Sequence, residues 1–152
     1  MIEPLIDAWR LNNRVDLYLL DALTDEQLDI KIDKGKDMRG QFAHLVNVRR
    51  MWLKMYARDL LDTDEKSDRR KASRDDLVRD LIATSECLAR LLERAGSADG
   101  KIKGRKGSVA QFFAGMMAHE GYHRGQIELG MRQAGQELPF EVQLGVWEWD
   151  KR

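Results

Sequence analysis

Only two prolines interrupt this chain of 152 residues, Pro4 and Pro139, and nearly everything between them is able to form helix. Proline is the residue least compatible with a helix interior, but the first helical turn tolerates it, which suits Pro4. Apolar side chains recur along the chain at spacings of three and four residues, and no stretch of useful length alternates as a surface strand does. The sequence therefore predicts an all-α protein.

Four long amphipathic segments carry this helical spacing. They are predicted to run from about Pro4 to Ala22, from about Met38 to Leu61, from Ser73 to near Gly96, and from Ser108 to about Ala134. Four helices of about 20 residues predict a four-helix bundle. We expect this bundle to form a single domain over residues 1–152.

The segments between the helices are polar, as in IDKGKD and TDEKSDRRKA, or rich in glycine, as in SADGKIKGRKG. Thr24 with Gln27 has the spacing of a capping box, and Ser73 with Asp76 resembles a capping pair. The loop after the second helix has about 12 residues and spans roughly 40 Å when extended, so its two flanking helices are free to run parallel or antiparallel. The tail after Pro139 is predicted to add a short final helix.

The second predicted helix carries two neighbouring apolar stripes. One consists of His44, Val48, Met51 and Met55, and the other contains Phe42, Leu45, Trp52 and Tyr56. We expect the methionines to fill the core, because methionine adapts to irregular gaps.

Composition excludes several classes of function. The 26 basic and 26 acidic side chains cancel, so no basic excess points to nucleic acid. The lone Cys87 excludes an internal disulfide framework. The first residues lack the apolar core of a signal peptide, and no stretch approaches the roughly 20 apolar residues of a membrane span. We therefore expect a soluble, cytoplasmic protein.

All three histidines of the chain lie on predicted apolar stripes. His119 and His123 are four residues apart on the fourth helix, so both imidazoles point the same way. If the second and fourth helices meet at the level of His44, three nitrogens converge and leave a fourth position open, as in catalytic zinc sites. The alternative is three separate core histidines, each with its own hydrogen bond.

The residues HEGYH also match the H-E-x-x-H signature of zinc proteases. No histidine follows His123, however, and no strand is predicted that would hold a peptide. Glu120 can instead pair with Arg124 one turn later, as an exposed salt bridge. We therefore interpret the protease-like spelling as a coincidence.

Four glycines lie inside the fourth predicted helix, at Gly115, Gly121, Gly125 and Gly130. Each costs roughly 0.5–1 kcal/mol relative to alanine in a helix interior. The simplest compensation is the close approach of another helix, either the first helix or one from a second subunit.

With these residues in place, the chain resembles the DinB/YfiT-like metal-binding family over nearly its whole length. The likeness rests on Asn13 and Arg14, the LTDEQL turn, His44 within GQFAHLVNVRRMWL, and HEGYHRGQI followed by MRQAG. The resemblance implies a four-helix bundle in up-down-down-up order, with a long crossover loop between the second and third helices. It also implies a divalent metal, most often zinc or nickel, on His44, His119 and His123.

The resemblance further implies homodimers, and some relatives are transferases or isomerases that activate a low-molecular-weight thiol at the metal. The main hypothesis is therefore a metal-dependent enzyme, either a transferase with a small thiol or a hydrolase, acting on a small-molecule substrate. Its rival is a non-catalytic dimeric bundle with a structural metal. Asn13, Asn47 and Gln126 are candidates to complete the pocket.

Overall fold

The computed structural model describes residues 2–31 and 35–152, so Ile32, Asp33 and Lys34 of the IDKGKD segment lie outside the described residues. The described residues contain helices and isolated bridges but no strand, which confirms the all-α class. The helices are α1 (Glu3–Ala22), α2 (Asp25–Leu28), α3 (Met38–Tyr56), α4 (Arg74–Gly96), α5 (Val109–Gln133) and α6 (Phe140–Gly145). Within these ranges, no helix combines the length and the apolar character that a bilayer span requires.

Helix starts follow the capping signals of the sequence. Thr24 and Ser73 each accept a hydrogen bond from the third residue of their helix, and the side chain of that residue bonds back to the cap. Ser108 caps α5 in the same way. These bonds satisfy amide groups that the first turn of a helix leaves without partners.

The second long helix ends earlier than predicted. It stops at Tyr56 rather than near Leu61, and a 3-10 turn follows at Arg58–Leu60. The break places Ala57 and Leu60 in the same apolar cluster as Leu53. The burial of these side chains therefore favours the early end of the helix, although the helical spacing of the sequence predicted that it would continue.

Helix α1 packs against α4 and α5. The indole of Trp9 donates to the carbonyl of Ser85, while Arg74 donates to the carbonyl of Leu20, so α1 and α4 run in opposite directions. Towards α5, Asn12 contacts Glu120 and Asp16 contacts Arg124, so these two helices run in the same direction.

Helix α3 packs against the same two partners. Arg50 bonds to Asp80 of α4, and Asp59 just beyond α3 bonds to Arg94, which makes α3 and α4 parallel. The ring of Trp52 contacts that of Phe112 at 5.9 Å between centroids, whereas Arg49 reaches Glu120, which makes α3 and α5 antiparallel.

The apolar core consists of two clusters. One surrounds Phe42 and Ile127, and the other surrounds Trp9, Leu53 and Phe112. Between them, at the middle of the long helices, lies a group of buried polar and charged side chains that the apolar spacing did not predict. We call it the Arg49 network, and it comprises Asn12, Asn13, Asp16, Arg49, Thr84, Glu120 and Arg124.

Arg49 is the centre of this network and is fully buried. Its guanidinium donates to Glu120 at 2.7 Å, to Asp16 at 2.9 Å and to Asn13 at 2.7 Å. Arg124 pairs with the other carboxylate oxygen of Asp16 at 2.6 Å. Two cations thus face two carboxylates, which compensates the charges that burial deprives of water.

Two expectations about apolar and small residues prove wrong in part. Met51 and Met55 do not fill the core but are 45% and 59% exposed. Gly115 and Gly125 have no heavy atom of another part of the described chain within 4 Å of a Cβ built on them, so no other helix among the described residues approaches there. The second-subunit explanation for these glycines stays a prediction.

The Arg49→Ala variant is expected to lower the free energy of unfolding by about 3–5 kcal/mol, because Asp16 and Glu120 would remain buried without their shared cation. Arg10→Ala is the matched control, since Arg10 forms a half-exposed pair with Glu86 that is worth about 0–1 kcal/mol. Urea denaturation of both variants measures the difference. Similar small losses in both would contradict a structural role for the network.

Candidate metal centre

The three histidines come together on the antiparallel pair α3 and α5. His44 of α3 lies beside His119 and His123 of α5, with ring centroids 4.5–5.3 Å apart. One nitrogen of each ring lies within 4.8 Å of the others. The predicted convergence of three imidazoles from two helices is therefore present.

This spacing suits a single metal ion. Metal–nitrogen bonds of about 2.0–2.1 Å hold two ligand nitrogens at most about 4.2 Å apart. Nitrogens within 4.8 Å of one another lie close to that spacing. The triad could therefore hold a divalent ion.

A buried nitrogen without a partner supports the fit. Nδ1 of His119 is shielded from solvent, yet no hydrogen-bonding group among residues 2–31 and 35–152 reaches it. An unsatisfied buried polar atom costs free energy, and native structures rarely leave one. A metal ion or a coordinated water at the triad would compensate this cost.

Gln41 fixes the state of His123, and the sequence reasoning missed it. Its side-chain oxygen lies 2.7 Å from Nδ1 of His123. Because an amide oxygen only accepts, Nδ1 carries the proton and Nε2 keeps the lone pair that a metal needs. The available signal was position, since Gln41 lies three residues before His44 and thus on the same side of the helix.

Arg69 acts on His44 in the opposite sense. A guanidinium nitrogen of Arg69 lies 3.3 Å from Nδ1 of His44. A guanidinium only donates, so Nδ1 accepts, and this contact occupies the single lone pair of the neutral ring. Arg69 and a metal ion therefore compete for His44. The sequence had suggested only a solvated loop at this residue.

Burial keeps the triad uncharged at neutral pH. Desolvation, with smaller contributions from Lys36 and the neighbouring histidines, lowers the pKa of His44 and of His123 to about 4. Burial also lowers the pKa of His119, although the Glu120 carboxylate opposes that shift. All three rings are consequently in the neutral form that binds metal.

The three pocket candidates from the sequence are placed differently. The oxygen of Asn13 accepts from Arg49, so Asn13 belongs to the Arg49 network. The amide of Asn47 bonds to both backbone groups of Ser67 and holds the loop after α3. Gln126 is half-buried, and its role at the pocket stays a prediction.

The expectation of an exposed Glu120–Arg124 pair is wrong. Glu120 is fully buried and bonds to Arg49 and Asn12, whereas Arg124 bonds to Asp16. A carboxylate held by a buried guanidinium is not placed to take a proton from a water at the triad. The likeness to a zinc protease is therefore limited to the sequence motif.

Comparison with known protein families identifies the family of this chain. The family model described as DinB family matches residues 3–144 of the chain. The chain therefore belongs to the DinB family, and the resemblance noted from the sequence is confirmed. Searches of curated proteins and of solved structures gave no match.

Two variants, each of which removes one contact to a histidine, distinguish the supporting role of Gln41 in metal binding from the competing role of Arg69. Gln41→Leu is expected to weaken zinc binding about 10–100-fold, because the proton on Nδ1 of His123 loses its acceptor. Arg69→Leu is expected to leave zinc affinity unchanged or to raise it, because a competitor for His44 disappears. Competition titration with a zinc-binding indicator at pH 7 gives both affinities. An equal loss in the two variants would refute these opposite roles.

Proposed function

We propose that this protein is a divalent-metal-dependent enzyme, with zinc or nickel held by His44, His119 and His123. The observation that carries the proposal is the meeting of three neutral imidazoles, with no fourth histidine, cysteine, aspartate or glutamate joining them among the described residues. Three protein ligands with an open position characterise catalytic rather than structural zinc sites.

The chemistry follows from the open position. A bound divalent ion supplies Lewis acidity, which lowers the pKa of a water or small thiol that coordinates to it. The histidines hold the ion, and Gln41 orients His123. The reaction class is either transfer or isomerisation with a low-molecular-weight thiol, as the family resemblance implies, or hydrolysis.

The rival function is a non-catalytic bundle with a structural metal, and the Arg49 network argues against it. Arg49 and Glu120 already join α3 to α5 next to the triad. The two helices therefore have a tie at this level that needs no metal. Protein stripped of metal by a chelator is accordingly expected to keep its helical circular dichroism.

The topology belongs to the same proposal. The four long helices form a bundle in up-down-down-up order, and the segment between α3 and α4 crosses its length. Support comes from the contact directions, since α1 opposes α4 but parallels α5, and α3 parallels α4 but opposes α5. In this order the triad lies between antiparallel neighbours.

Metal content tests the proposal. Protein purified with zinc or nickel in the medium is expected to carry about one ion per chain at pH 7, while His44→Ala and His119→Ala carry almost none. Cys87→Ser is the control, because it removes the one thiol of the chain, which lies outside the triad. Elemental analysis reads all four proteins, and equal metal content throughout would end the metal hypothesis.

The pH arm of the same experiment follows from the lowered pKa values of His44 and His123, about 4 in each case. Protons compete with the metal only where these rings are protonated. Protonation of His44 and His123 is thus expected to weaken metal binding steeply around pH 4.

Cobalt substitution tests the open position. A small thiol such as 2-mercaptoethanol, added to the cobalt-loaded protein, is expected to produce a sulfur-to-cobalt charge-transfer band. If the spectrum of the cobalt-loaded protein does not change with added thiol or with pH, the site is closed. That result would favour the rival function, a non-catalytic bundle with a structural metal.

The proposed functional unit is a homodimer, joined through the outer face of α5. Ala118, Tyr122, Gly125 and Leu129 form one stripe there, and Tyr122 and Leu129 are largely exposed. Small residues in this stripe leave room for a second helix to approach. An apolar stripe left open to solvent is typical of an interaction surface.

Sedimentation velocity tests the dimer. Wild type is expected at twice the chain mass, and the double variant Tyr122→Glu with Leu129→Glu is expected to be monomeric. Ile82→Glu is the control, because Ile82 is equally exposed but lies on α4. Monomeric wild type would remove this part of the proposal.

A further inference from the structure

A groove of about 280 Å³ opens beside the triad and runs between α3 and α5. His119 lies at one end, and Arg105, from the loop before α5, lines the groove as well. Its walls are mainly apolar, with Gln111 as a further polar residue, and their apolar part consists of Val48, Met51, Trp52, Phe112, Gly115 and Met116. The volume is close to the lower end of small-molecule sites, which begin at about 300 Å³.

The groove explains two features that core packing leaves unexplained. Met51 is 45% exposed although it continues the stripe of His44 and Val48, because its side chain lines this groove. Gly115 lies in the interior of α5 with open space around the position of a Cβ. A side chain there would project into that space, so a glycine keeps this stretch of the groove open.

Arg105 is held so that one edge of its guanidinium stays available. Its Nη1 donates to the carbonyls of Lys106 and Ser108, at 2.9 and 3.3 Å, and its charge lies 5.5 Å from the centre of the Phe112 ring. In the part of the chain that the structure describes, Nε and Nη2 have no hydrogen-bond partner. These two parallel donors form the edge that matches a carboxylate.

The charged groups in and beside the groove are positive. Its lining contains no aspartate or glutamate among the described residues, and none forms a salt bridge with Arg105, in a chain with 26 acidic side chains. At the triad end, Arg69 and Lys36 add positive charge next to the histidines. An apolar trough with cationic ends complements a small molecule that carries an anionic group on an apolar body.

We propose that this groove binds a small organic carboxylate, with its apolar body between Trp52 and Met116 and its carboxylate on the free edge of Arg105. The groove would then direct the other end of the molecule to His119, and this last step rests on the proposed metal function. Arg105 is thus a residue that determines substrate class rather than a metal ligand.

The test uses metal-free, full-length protein and the probe 4-phenylbutyrate, followed by isothermal titration calorimetry. Wild type is expected to bind the probe, and Arg105→Gln to bind it about tenfold more weakly, since a charged hydrogen-bonded pair contributes on that scale. Arg105→Lys is expected to fall between them, because it keeps the charge but loses the paired donors. Arg90→Gln removes an equal charge outside the groove and should bind as wild type does.

Two further arms examine the shape of the site and the kind of anion. Gly115→Leu is expected to abolish binding while the helix gains stability, so the loss cannot come from unfolding. Sedimentation of this variant checks that its oligomeric state is that of wild type. The alcohol 4-phenylbutanol should bind weakly and equally to wild type and Arg105→Gln. A phosphate ester with the same phenylalkyl chain that binds more tightly than the carboxylate would overturn the assignment of the anion.

Failure of this inference is separable from failure of the metal proposal. Wild type that ignores 4-phenylbutyrate at millimolar concentration, or an Arg105→Gln variant that binds as wild type does, would overturn the groove assignment even if the protein carries zinc. The opposite outcome is that carboxylate binding depends on Arg105 while the histidine variants have the same metal content as wild type. That outcome would support the groove assignment and contradict the metal proposal.

Discussion

The buried pairing of Arg49 with Glu120 sets the relation between α3 and α5 on which the site depends. The two side chains meet at 2.7 Å with no exposure to solvent. A buried ion pair demands accurate geometry, because a slipped pair leaves two uncompensated charges in the core. Glu120 directly follows His119, and Arg49 lies little more than one turn beyond His44. A pair that fixes the register of these helices therefore also fixes where the imidazoles meet.

The polar groups around the triad have different roles. Burial makes the rings neutral, Gln41 assigns the proton of His123, and Arg69 holds the lone pair of His44. The negative charge of Glu120, next to the triad, is paired with Arg49 within the Arg49 network. Among the described residues, the charges that remain beside the histidines are those of Lys36 and Arg69, and the site continues into a groove with mainly apolar walls. The same antiparallel helix pair thus supplies both a place for a cation and a binding surface for an anionic molecule.

Several elements could be predicted because their signals are local. The capping residues Thr24 and Ser73 start helices where expected, and the bounds of the four long helices lie within a residue or so of the predicted ones, except for the earlier end of α3. The stripe of α5 placed His119 and His123 on a common inward side. The exposed methionines of α3 could not be predicted in this way, because a helix presents the same spacing whether a stripe faces a core or lines a groove.

The sequence by itself determined the helical class, the helix starts, the family and the three imidazoles that could share a metal, because each follows from residue type and short-range spacing. Only the tertiary structure decided which charged residues are buried and which histidine nitrogen carries a proton. Arg49 and Glu120 are 71 positions apart, and Gln41 and His123 are 82 apart. Nothing in the spacing along one helix records a partner on another, so a buried arginine looks like an exposed one until the helices are packed.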